Sequence, residues 1–162
     1  MENNLLKQQV EELATRVNGE VEESFGVLVL KVKAPSIIET LTAAKNFPNI
    51  PCDFLHDLCG MDLGDHFEVV YQLSSLHGTQ LLRVKAIVDR ENPVIDSVTS
   101  IWQGANFLER EAYDMFGIKF KGHPNLKRIY MWDDFEGYPL RKDYVIEPIE
   151  VRNITRIRIE GE

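Results

Sequence analysis

Apolar positions in the first part of the chain recur at helical spacing before the pattern changes to a twofold one. Within residues 4–17, Leu6, Val10, Leu13 and Val17 fall on one side, with Lys7, Glu11 and Glu12 opposite. That spacing predicts an amphipathic helix packed on one face. Residues 25–32 are almost continuously apolar and β-branched, which predicts a strand buried on both faces. Pro35 and Ser36 open a second helical pattern, Ile37, Ile38, Leu41 and Ala44, that stops before Pro48. A short strand over 53–60 is expected to run into a turn over 60–65. Beyond it, Phe67, Val69, Tyr71 and Leu73 alternate with Glu68, Val70 and Gln72, and Leu82, Val84, Ala86 and Val88 alternate with Arg83, Lys85 and Ile87. Two such runs joined by a loop containing Gly78 predict an antiparallel hairpin. Asn92 and Pro93 interrupt the pattern. Leu108, Ala112 and Met115 then predict a helix over 105–116, stopped by Gly117 in a left-handed conformation.

This order predicts an α+β fold, a two-layer sandwich of a mostly antiparallel or mixed sheet with helices. After residue 117 the period vanishes and Pro, Gly, Trp and charge dominate. A structureless stretch of that length is expected to lie against something else. The expected organisation is therefore an α+β domain over 1–117, then a loop and extended C-terminal arm over 118–162. Near the end Arg156, Ile157, Arg158 and Ile159 alternate, a pattern that suits either a strand added to a neighbour's sheet or a frayed tail.

Charge and composition narrow the classes. A net charge of −8 argues against a general nucleic-acid binder and against adhesion to anionic lipid. Residues 1–24 carry six acidic side chains against Lys7 and Arg16, read as a solvated face or a partner-facing one. No apolar run approaches the ~18 residues of a membrane span, and the Met-Glu-Asn-Asn start lacks the pattern of an export signal. A cytoplasmic site is expected. Six residues separate Cys52 from Cys59, which is neither a redox pair nor a cluster-binding run, and two reduced thiols are expected.

The densest chemistry is Glu109, Arg110, Glu111, Ala112, Tyr113, Asp114. On a helix Arg110 and Asp114 stand four apart and can pair. Glu111 and Asp114 could divide acid and base roles, although such pairs are far more often surface salt-bridge partners. His56, His66, His77 and His123 share no metal-ligating spacing. Among them His56, near Asp57 and Cys59, is the best candidate ligand, and a structural role for it is favoured. No nucleotide-binding glycine loop occurs. Leu140, Arg141, Lys142, Asp143 and Tyr144 combine cations, a carboxylate and an aromatic, a composition favoured at protein interfaces.

Together these residues resemble a family signature. The run from Glu109 through Ile118, then Phe120, Gly122, His123, Pro124, and Leu126, Lys127, Arg128, Ile129, continues through Gly137, Pro139, Leu140, Arg141, Lys142, Asp143 and Tyr144. It is similar to the C-type (30-kDa-type) subunit family of NADH-quinone oxidoreductase, respiratory complex I. The resemblance implies a peripheral-arm subunit on the cytoplasmic side of the bacterial inner membrane. It would pack against the D-type (49-kDa-type) subunit, near the B-type cluster subunit and other peripheral-arm subunits. FMN, iron–sulfur clusters and quinone would belong to the parent complex, and no cofactor to this chain. Partner contacts are expected from Glu109, Arg110, Glu111, Asp114, His123, Pro124, Arg128, Pro139, Arg141, Lys142, Asp143 and Tyr144, with Arg128, Arg141 and Lys142 pairing with partner carboxylates or carbonyls. The alternatives are the equivalent subunit of a ferredoxin-dependent or hydrogenase-type membrane complex, a transient assembly factor, or an independent soluble enzyme using Glu111, Asp114 and His123.

Overall fold

A computed structural model describes residues 2–76, 78 and 80–145; the alternating stretch Arg156 to Ile159 and His77 lie outside them. Helix α1 (Glu2–Val17) places Leu6, Val10, Leu13 and Val17 in the core, as their spacing predicts. The chain then forms a hairpin of β1 (Glu20–Ser24) and β2 (Val27–Lys33), which the sequence pattern did not separate. The Phe25–Gly26 pair is the turn, with φ of 52° and 77°. A 3-10 turn over Ala34–Ser36 leads into α2 (Ile37–Lys45), which buries Ile37, Leu41 and Ala44. Next come β3 (Phe54–Asp62), β4 (His66–Ser74) and β5 (Leu81–Asp89).

These five strands form one mixed sheet of order β1-β2-β5-β4-β3, in which only β2 and β5 run parallel. The β4–β5 hairpin has the predicted register, pairing Phe67 with Val88, Val69 with Ala86, Tyr71 with Val84 and Leu73 with Leu82. Because side chains alternate between faces, those eight residues, with Leu30, Val32 and Leu58, point to the side that the helices cover. The opposite face carries Lys31, Arg83, Lys85, Glu68 and Gln72. It is tied by Lys31–Glu22 at 2.9 Å and Lys85–Glu68 at 3.2 Å. Strand β2 is therefore covered by helices on one side and by the stems of its charged neighbours on the other, where Val29 is nevertheless fully buried.

Helix α3 (Ala105–Phe116) packs against β3, where Phe116 meets Gly60 so closely that a Cβ there would fall 2.7 Å from its ring. A second, two-stranded parallel sheet joins β6 (Val94–Asp96) to β7 (Lys119–Lys121). This pairing was not visible in the sequence, because three-residue strands show no alternation that can be counted. It draws Ile118 and Phe120 into the core beside Ile95 and Val98. Residues 122–145 contain no helix or strand, and they fold back along α3 and one end of the sheet.

Candidate docking site

Helix α3 turns two of its carboxylates inward, and of the Glu111–Asp114 pair read as surface partners only Glu111 is at the surface. Glu109 and Asp114 are both completely buried. Asp114 is the centre of a clamp. Its Oδ2 accepts the backbone N–H groups of Ile129 (3.0 Å), Tyr130 (2.7 Å) and Met131 (3.0 Å), and its Oδ1 accepts Arg128 Nη1 at 2.9 Å. Burial opposes the charge of this carboxylate, but the N–H groups of Met131, Tyr130 and Ile129, with the Arg128 guanidinium, lower its pKa below the ordinary value. The predicted Arg110–Asp114 pairing is thus replaced. Arg110 turns outward and donates to the carbonyls of Lys127 and Arg128, while its guanidinium lies over the Phe107 ring.

Arg128, expected to pair with partner carboxylates or carbonyls, makes several bonds within this chain. Besides Asp114 it donates to the carbonyls of Phe135 (3.1 Å) and Gly137 (3.0 Å), and it lies against the Phe135 and Tyr138 rings. Arg141 is engaged in the same way. Its Nε donates to Phe116 O at 2.6 Å, and its guanidinium sits over Phe67 and Tyr138. With Leu140 N–H donating to Met115 O, these bonds satisfy carbonyls that the end of α3 leaves free. Lys142 contributes its backbone N–H to Asp62 Oδ2 at 2.8 Å, and Asp143 pairs with Arg90 at 2.9 Å. Asp62 also binds Arg90 at 2.6 Å. Sequence reasoning missed Asp62 and Arg90, since nothing in a turn motif announces that a segment 80 positions later will bind there.

The other expected residues fall around this clamp. Glu111 accepts the Tyr130 hydroxyl at 3.1 Å. The His123 side chain is buried, with Nε2 donating to Asn106 O and Nδ1 accepting Asn125 N–H. Pro124 lies exposed in the following turn, Pro139 is half-buried, and Tyr144 stacks on Phe135 across Gly137. Glu111, Asp114 and His123 are therefore each committed to structural bonds, and Asp114 has no surface that a substrate could reach. Among the described residues no group of three or more His, Cys, Asp and Glu gathers as metal ligands. His56 is bound to Ser74 Oγ at 2.7 Å, and burial pushes the Cys52 thiol up to about 12.

Glu109 forms a second, separate polar centre. It accepts Ser97 Oγ and Val98 N–H, both at 2.6 Å, and lies 3.9 Å from His123 Nε2. Burial pushes its pKa up to about 7, although the Ser97 and Val98 bonds pull the other way. A carboxyl whose folded pKa is raised binds its proton more tightly in the native state. Its stabilising contribution is thus present below the ordinary value of 4.5 and lost as pH rises through about 7. Glu109→Gln should abolish that loss. Urea unfolding at pH 5 and pH 8 is expected to separate for the natural chain by roughly 2–3 kcal/mol more than for the variant.

While the polar atoms of 128–144 are tied inward, Tyr130, Trp132, Leu140 and Val145 remain largely exposed, with Trp132 63% accessible. The segment thus combines a backbone anchored by Asp114 and Arg128 with aromatic side chains turned outward. The family model for the 30 Kd subunit of respiratory-chain NADH dehydrogenase matches residues 30–150, and the chain belongs to that family. Among curated relatives, the second C-type subunit of NADH-quinone oxidoreductase in Rhizobium meliloti (strain 1021) is 44% identical over 124 residues, 75% of this chain and 68% of that protein. The C-type subunit of the Moorella thermoacetica NADH-quinone oxidoreductase is 42% identical over 130 residues, 79% and 86% of the two chains. The solved trypsin-resistant fragment of Nqo5 is 31% identical with a TM-score of 0.62, covering 75% of this chain and 99% of the fragment. A chain of the archaeal membrane-bound sulfane sulfur reductase shares the fold, with a TM-score of 0.71 at 24% identity over 86% and 85% of the two chains.

Proposed function

We propose that this chain is the C-type peripheral-arm subunit of a proton-translocating NADH:quinone oxidoreductase. It carries no cofactor itself and docks the D-type (49-kDa-type) subunit beside the B-type cluster subunit. FMN, iron–sulfur clusters and quinone belong to its partners, and the chain is held on the cytoplasmic face of the cell membrane through them. No helix among the described residues is long and apolar enough to cross a membrane. In this reading residues 1–117 are the supporting domain, and 118–162 carry the docking surface. The observation that supports it best is the contrast within 128–145, where Asp114 and Arg128 anchor the backbone and Tyr130, Trp132 and Leu140 face outward.

Because Arg128 and Arg141 hold the segment itself, their removal would damage the fold before it tested an interface. Trp132 and Leu140 are the better probes. The double variant Trp132→Ala, Leu140→Ala should leave the unfolding midpoint of the isolated chain nearly unchanged, since exposed substitutions rarely exceed ~0.5 kcal/mol. Recovery of the D-type subunit with the chain from native membranes in mild detergent should fall at least about ten-fold. NADH-driven, inhibitor-sensitive quinone reduction should fall with it. Undiminished co-purification would overturn the docking role. Absence of the natural chain from the mature purified complex would point instead to an assembly factor. Reduction driven by ferredoxin and not NADH would point to the related complexes.

A further inference from the structure

The β1–β2 hairpin lies at the opposite edge of the sheet from β3, and its turn precedes the residues that the family model matches. Register places the two ends of the sheet unambiguously. The Phe25–Gly26 turn, the start of β5 at Leu81 and the start of β3 at Phe54 share one end. Asp62 and Arg90, which hold Lys142 and Asp143, stand at the other. Phe25 is fully exposed and sits at φ 52°. With Ser24 paired to Val27 and both turn residues at positive φ, the loop has the pattern of a type I′ turn, for which Asn-Gly is the preferred pair. A bulky side chain in that backbone region is strained, and here it recovers no burial within the chain. Phe25 is also not alone. Leu76 and Leu81 are exposed at the same end, beside a mostly polar cavity of about 440 Å³ between the hairpin, α1 and β5, lined by Asn4, Leu6, Glu23, Leu28, Gln80 and Leu81. The hairpin is flanked by Glu20, Glu22 and Glu23; Lys31 neutralises Glu22 at 2.9 Å, and Lys7 borders the cavity.

We propose that this hairpin is a second docking element, in which Phe25 enters an apolar socket rimmed by Lys or Arg on another polypeptide of the parent assembly. The proposal rests on the reading of the chain as a docking subunit, and it extends that reading to the far end of the sheet. The strained backbone is retained because the aromatic side chain is buried on assembly, while Glu23, beside the turn, meets the basic rim. A partner of this chemistry fits better than an anionic bilayer, which the acidic flank would repel.

The distinguishing test reads two quantities that should move in opposite directions. In Phe25→Asn the turn acquires its preferred residue, so the isolated full-length chain should melt about 2–4 °C higher. In the complex purified from native membranes, retention of the same variant through a high-salt wash should fall at least about five-fold relative to the natural chain. Glu23→Lys should lower retention already at low salt. Retention of Phe25→Asn at the natural level overturns the proposal, as does tighter binding by Glu23→Lys. Concentration-dependent dimerisation of the free chain lost in Phe25→Asn, or Phe25-dependent binding to phosphatidylglycerol vesicles, would overturn it in favour of a second copy or a membrane. Loss of Trp132→Ala, Leu140→Ala from the complex while Phe25→Asn stays would defeat the hairpin proposal alone. Failure of the natural chain to co-purify would defeat both readings.

Discussion

Asp114→Ala is expected to lower the stability of the isolated chain by about 3–5 kcal/mol. The carboxylate has no exposed surface and satisfies four donors, three of them consecutive backbone N–H groups of Ile129, Tyr130 and Met131. Removing it leaves those N–H groups and the Arg128 guanidinium without their acceptor in a site shielded from water. The loss should appear in urea unfolding as a lower midpoint, with residues 128–145 becoming susceptible to trypsin at Arg128 first. Asp114→Asn, which keeps the shape and one carbonyl acceptor, should sit between the two. The natural chain should also lose this contribution in acid. A carboxyl with a lowered folded pKa stabilises above its ordinary value of 3.8, and the contribution disappears as pH falls through the folded value. The Asp114→Ala variant should show a correspondingly flatter acid limb. An unchanged urea midpoint would mean that the clamp is dispensable.

Gly117→Val should cost about 4 kcal/mol, combining backbone strain with a steric clash. Gly117 ends α3 at φ 74°, giving its N–H to Tyr113 O. An added Cβ would stand 2.6 Å from the Tyr138 ring and from Arg141 Nη2. The glycine is therefore required twice, by the left-handed stop and by the return of the segment across it. Differential scanning calorimetry should show a large drop in Tm, and Gly117→Ala should show a smaller one. A cost for Gly117→Ala no larger than the roughly 1–2 kcal/mol of the left-handed conformation alone would mean that the close approach of Tyr138 and Arg141 does not matter.

The parts of this molecule legible in its sequence are those governed by short periods. The β4–β5 hairpin and the limits of α3 follow from alternation and from Gly117, because both depend on neighbours a few positions away. The β1–β2 hairpin escaped because its turn residue is Phe25 rather than Asn or Gly, and because Glu20, Glu22 and Glu23 do not look like a strand. The candidate site was legible as a set of residue types and illegible as an arrangement. Glu109, Asp114, Arg128 and Arg141 stood out by type, yet nothing local tells a buried carboxylate with four donors from a solvated one. Partners 14 to 17 positions away made that difference. Asp62 and Arg90 lay further still from the segment they hold.

The bond from Lys142 N–H to Asp62 closes the chain over 80 positions, and Leu140 and Arg141 cap α3 only after they have been made. On a ribosome this imposes an order. The sheet can assemble as soon as β5 has emerged, whereas the end of α3 must wait with open carbonyls for a further stretch of synthesis. During that interval the nascent chain holds a finished sheet and an unfinished helix end. A partner recognising the 128–145 surface finds no binding site on such a chain. Premature release upstream of Arg141 would leave Phe116 O without the Arg141 side chain and Asp62 without the Lys142 N–H.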